Sequence, residues 1–152
     1  MKKNVLFVCT GNTCRSPMAE ALFKRMLQEE YLDNDYDCSS AGIYAFEGDG
    51  ASKGAISAAM QDGLDLTDHY ARILSYDMVK DAYIIFTMTS NHKRMVLDVY
   101  PECQDKIFTL KEFAEYAAGD MDIIDPFGMD EDAYLDCFRE IETVLSKILD
   151  RL

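Results

Sequence analysis

The chain has 152 residues, 49% of them apolar, and a formal net charge of −13. That length suits one domain around one core, and the acidity argues against nucleic acid, whose binding rests on lysine and arginine meeting phosphates. No apolar run nears the ~20 residues of a membrane-spanning helix, none resembles a secretion signal, and five irregularly spaced cysteines suggest neither a disulfide framework nor a zinc site, so a reducing, cytoplasmic setting is expected.

In chain order, Val5, Leu6, Phe7 and Val8 are apolar without alternation, the pattern of a strand buried on both faces. Cys9 ends the run, and Gly11 and Asn12 tolerate the left-handed backbone of a tight turn. Ser16 is suited to cap a helix, Pro17 to its first position and Glu20 to its first turn. Such a turn is a phosphate cradle. Its amides, from Thr10, Gly11, Asn12, Thr13 and Cys14 to Arg15, converge on an anion at a helix N-terminus, and Arg15 adds a bidentate fork. Cys9 then faces the phosphorus, and a field that holds phosphate also favours thiolate, so Cys9 is the candidate nucleophile.

The first helix carries Ala19, Leu22, Phe23, Met26 and Leu27 on one face. A second strand is expected over 36–41, then a loop with Tyr44 and Phe46 at the same sheet edge as the cradle, where Tyr44 is a candidate pocket residue. A helix follows from Ser52 to Gln61, then an extended segment over 65–73 and a short helix over 77–81. A third strand spans 82–88, and a helix over 89–100 turns Met95, Val96 and Val99 inward and leaves His92 solvated. A fourth strand over 107–110, a helix over 111–117 and a long last helix capped by Asp130 complete the chain. Strands alternating with helices imply an α/β fold with a parallel sheet, helices on both faces, and the ligand site beyond the carboxyl ends of the strands.

Val8-Cys9-x-Gly11-Asn12-x-Cys14-Arg15-Ser16-Pro17 resembles the signature of the low-molecular-weight protein phosphatases, and the likeness runs to the last helix. The resemblance implies a single domain over residues 1–152, with a four-stranded parallel sheet and the phosphate-binding loop after the first strand. It implies a phosphocysteine intermediate on Cys9, with Arg15 and the loop amides holding the phosphoryl oxygens and Ser16 hydrogen-bonding the thiolate. By the same resemblance, Asp125, in Asp125-Pro126-Phe127, is the general acid, and Ser40 and His69 brace Asn12; no metal or cofactor is required. The implied partners are phosphorylated proteins.

Thr13 and Phe127 depart from the tyrosine-specific pattern, which has a bulky aliphatic residue after the asparagine and Asp-Pro-Tyr. Both resemble the bacterial protein-arginine phosphatase branch, as does Phe108-Thr109-Leu110-Lys111-Glu112, which favours phosphoarginine over phosphotyrosine as substrate. Arsenate reductases share the cradle but need a cysteine pair around the third strand, where residues 82–89 have none. A non-catalytic phosphate-binding module would have no use for Cys9, Arg15 and Asp125 together. Cys9 and Cys14 share one short turn, so peroxide is expected to join them in a disulfide.

Overall fold

The computed structural model describes residues 1–152. Strand β1 (Lys3–Cys9) leads through the turn into helix α1 (Arg15–Glu29), and β2 (Tyr36–Gly42) follows. Helices α2 (Lys53–Met60) and α3 (Tyr76–Asp81) precede β3 (Ile84–Thr87). Helix α4 (Ser90–Val99), a 3-10 helix (Pro101–Lys106), β4 (Ile107–Thr109), α5 (Leu110–Phe113) and α6 (Glu131–Leu149) complete the chain.

The four strands form one parallel sheet in the order β2-β1-β3-β4. Alternation of side chains along the strand sets the two faces. Val5, Phe7 and Cys9 turn toward the larger cluster, with Leu22 and Phe23 of α1 and Phe138, Ile141 and Leu145 of α6. Leu6 and Val8 turn toward the smaller one, with Val79 near α3's end and Val96 of α4. Burial on both faces explains why Val5 to Val8 show no polar alternation. Because the chain runs outward from β1 in both directions, the crevice between its neighbours opens at β1's carboxyl end, where Cys9 stands.

Several boundaries differ from expectation. Helix α1 begins at Arg15, so Ser16 does not cap it, Pro17 is its third residue and Glu20 lies beyond its first turn. The Ser16 hydroxyl is engaged by Cys9 and Asn12 instead, and Pro17 still occupies a position whose N–H has no partner within the helix. Only Asn12 (φ 56°) takes the left-handed conformation in the turn. Helix α5 stops at Phe113, well short of 117, and Glu115 turns the chain at φ 65°. The 65–73 segment carries two isolated bridges, Gly42 to Ile73 and Gly50 to Tyr70, that lay it along the sheet edge. Val99 is exposed, because α4 docks through His92 and Val96.

Candidate active site

The turn after β1 is built around Asn12, whose side chain is fully buried. Its Nδ2 donates to Ser16 Oγ at 2.8 Å and to Ser40 Oγ at 2.9 Å. Its Oδ1 accepts from the Arg72 backbone N–H at 2.9 Å, and its carbonyl accepts from His69 Nε2 at 2.7 Å, which fixes the proton on that ring nitrogen. Ser40 in turn donates to the Glu20 carboxylate at 2.5 Å. Every donor of the Asn12 amide is thus used to hold the loop in its left-handed kink, so the sequence-predicted Ser40 and His69 both meet it here.

Close approach of β2 completes the frame. Ile43 and Tyr44 donate backbone N–H groups to Cys9 and Thr10 carbonyls at 3.0 and 2.9 Å. At Gly42 an added Cβ would lie 2.6 Å from the Thr10 carbonyl oxygen and 2.8 Å from the Asn12 nitrogen. Glycine there is what lets the sheet edge touch the cradle.

Cys9 is buried, with Sγ 2.8 Å from Ser16 Oγ. Since Ser16 Oγ already accepts from Asn12, its own proton is free to point at the sulfur. Arg15 is also buried; its Nη1 donates to the Ile123 carbonyl at 2.8 Å and its Nη2 lies 3.6 Å from Asp125 Oδ2. The Asp125 side chain is 48% exposed, and its Oδ1 accepts from the Phe127 N–H at 3.1 Å. That Asx turn, with Gly128 at φ 80°, aims Phe127 outward with 80% of its surface exposed.

The segment carrying Asp125 is pinned just before it. Asp122 caps α4 through the Ser90 N–H at 2.8 Å, and Ile123 N–H reaches the Met88 carbonyl at 2.8 Å. Buried Lys111 holds Asp120 at 2.7 Å and Glu140 at 2.8 Å. Burial works against its ammonium, but the hydrogen bonds it donates to the two carboxylates, with their charges, outweigh it and raise the Lys111 pKa. Asp120 and Asp122 therefore anchor this segment.

A cavity of about 90 Å³ opens above Cys9, with Thr13, Arg15, Ser52, Asp125, Phe127 and Tyr134 among its walls. Tyr44 is not among them. Its backbone follows the cradle, but its exposed ring lines a separate groove of about 340 Å³ with Ile73, Met95 and Val99. Ser52, which also caps α2, and Tyr134, which also packs in the core, are wall residues too. No group of three or more His, Cys, Asp or Glu side chains is placed to hold a metal ion.

His92 corrects another expectation. It is 6% exposed, and Nε2 lies 2.8 Å from Thr10 Oγ1. Its Nδ1 has no partner. Burial first, then the nearby Arg15 charge, pushes its pKa down to about 4, with Asp122 and Asp125 opposing. A neutral imidazole thus tethers the first cradle residue after Cys9. The signal in the sequence was the Thr89 cap, which accepts from the His92 N–H at 3.0 Å and so fixes the helix phase. Burial also raises the pKa of Cys14 and, to about 12, that of Cys137.

The family model described as low molecular weight phosphotyrosine protein phosphatase matches residues 4–152. The chain is 39% identical over 152 residues to a protein-arginine-phosphatase of Geobacillus stearothermophilus, covering 100% of this chain and 97% of the relative. Among solved structures it resembles an arginine phosphatase mutant with a phosphorylated active-site serine (TM-score 0.92, 36% identity, 98% and 95% of the two chains). It likewise resembles a low molecular weight protein tyrosine phosphatase from T. tengcongensis (TM-score 0.91, 39% identity, 99% and 100%). The likeness takes in strand, cradle, acid segment and final helix together, and the chain belongs to the low molecular weight phosphotyrosine protein phosphatase family.

Proposed function

We propose that this phosphatase removes the phosphoryl group from phosphoarginine in protein substrates through a phosphocysteine on Cys9. In the first step Cys9 Sγ forms a bond to phosphorus as the P–N bond breaks, and Asp125 gives its proton to the departing guanidine nitrogen. In the second, Asp125 takes a proton from the attacking water, the S–P bond breaks, and inorganic phosphate leaves with the thiolate restored. Arg15 and the amides of Thr10 to Arg15 hold the equatorial oxygens through both. The Ser16 hydroxyl, 2.8 Å from the sulfur, makes the thiolate a better leaving group.

The observation that carries the substrate class is Thr13, which lines the same cavity as the Asp125 carboxylate. A guanidinium has only donors to offer. A threonine hydroxyl accepts one, Asp125 accepts another, and the Phe127 ring can lie on the cationic plane. The name of the Geobacillus relative points the same way. Phe127 and Tyr134 also give flat surfaces that suit a tyrosyl ring, which keeps phosphotyrosine as the competing substrate.

The deciding experiment compares phosphoarginine and phosphotyrosine peptides with one enzyme preparation. Wild type should prefer phosphoarginine. Thr13→Ile should lower kcat/KM on phosphoarginine by roughly one to two orders of magnitude and shift the preference toward phosphotyrosine. A wild-type preference for phosphotyrosine, or equal losses on both substrates, would replace the arginine reading with the tyrosine one.

A further inference from the structure

Two hydroxyl-bearing residues on the cavity wall have no part in the two chemical steps. Ser52 caps α2 and donates its own N–H to the Thr13 carbonyl at 2.8 Å, which fastens the start of that helix to the cradle. Tyr134, on the first turn of α6, lines the same wall.

Gly54 shows how closely the ring is seated. A Cβ there would lie 2.5 Å from three ring carbons of Tyr134, so the ring face rests on the backbone of α2's first turn. Glycine weakens a helix, and here it makes room for an aromatic ring that is only 9% exposed. Burial, then the nearby Cys14 and Asp125, raise the phenol pKa. The group is therefore a neutral hydroxyl beside a second hydroxyl, within a cavity that also holds Asp125 and Thr13.

Phosphoarginine brings more N–H donors than Asp125 and Thr13 can accept. Donors left unpaired against the cavity wall, where water does not reach them, are costly. A phosphotyrosine ring brings none, and gains nothing from extra acceptors. We propose that Tyr134 and Ser52 form a hydroxyl pair that accepts the remaining guanidinium N–H groups, making both of them specificity-determining residues. The pair rests on the phosphoarginine reading above.

The test measures kcat/KM on a phosphoarginine and a phosphotyrosine peptide for wild type, Tyr134→Phe, Ser52→Ala and the double variant. Each single substitution should lower the phosphoarginine-to-phosphotyrosine ratio by about tenfold, the factor of one lost hydrogen bond. The double variant should fall short of the product of the two, because they share one ligand. Lost packing or a weakened helix cap lowers both activities together and leaves the ratio alone, and thermal unfolding reports that loss separately. If wild type prefers phosphoarginine and the Tyr134→Phe ratio stays within about twofold, the hydroxyl pair is refuted while the substrate class stands. If wild type prefers phosphotyrosine, both fall.

Discussion

Replacing Gly42 with alanine tests whether the cradle's shape comes from the sheet edge. The new methyl would meet three backbone atoms of the loop, the Thr10 oxygen at 2.6 Å, the Asn12 nitrogen at 2.8 Å and the Gly11 carbon at 2.9 Å. None can rotate away as a flexible side chain would. To reach even a tight contact of 3.0 Å, loop and strand must part by about 0.4 Å. The strand cannot yield freely, because the neighbouring Ile43 and Tyr44 N–H groups are bonded to the Cys9 and Thr10 carbonyls. The loop cannot yield without straining the Asn12 bonds to Ser16, Ser40 and Arg72. Overpacking of this kind costs about 1–3 kcal/mol of stability, and misplacement by a fraction of an ångström should cost about tenfold or more in turnover. Urea unfolding and turnover of an aryl phosphate, measured on the same preparation, report the two effects. A Gly42→Ala enzyme with wild-type stability and turnover would refute the claim that this contact shapes the cradle.

Asp125→Asn should slow turnover by roughly 10²–10⁴, and less on a substrate whose leaving group needs no proton; equal losses on good and poor leaving groups would remove Asp125 from that role. Cys9→Ser should lose turnover yet still bind vanadate, and residual turnover within about tenfold of wild type would sink the covalent mechanism. After mild peroxide, peptide mapping should find Cys9 joined to Cys14; because burial raises the Cys14 pKa, the bond should form slowly, and sulfinic acid on Cys9 with Cys14 free would count against it. His92 makes stability depend on pH. The unfolded imidazole takes up its proton near 6.5 and the folded one near 4, so stability is full above 6.5 and falls as pH drops toward 4. That contribution is about 3 kcal/mol across the window, and His92→Gln should flatten the slope there; an unchanged slope would mean the folded imidazole titrates normally.

Sequence pattern revealed what local chemistry determines. An unbroken apolar run can only be a strand covered on both sides, and Val5 to Val8 are that strand. The spacing of Tyr134, Phe138, Ile141 and Leu145 needs nothing beyond helix geometry to be read. Cys9 and Arg15 are held by one short turn, so their sharing of one cavity was legible as well. The gaps arise where distant segments decide. Ser16 has the chemistry of a helix cap, but a cysteine seven residues earlier and an asparagine four residues earlier claim its hydroxyl. His92 reads as solvated until the docking of α4 carries it under Thr10. Gly42 looks like punctuation because the atoms that require it belong to another strand's loop. Ser52 and Tyr134 reach the cavity from two helices that no spacing rule connects.

The complete bonding of Asn12 has a consequence for how the protein meets its ligand. A loop whose Asn12 side chain has both amide donors and its acceptor occupied has already surrendered its freedom during folding. An arriving oxyanion therefore finds its amides in position and induces little ordering there, so the entropic penalty of capture is small. Whatever adaptation accompanies a large substrate must fall to the opposite rim, where Phe127 stands out into solvent on a turn held by Asp125. Under the proposed mechanism, recognition is thereby divided between a stiff floor for the phosphoryl group and an exposed lip for what the group is attached to.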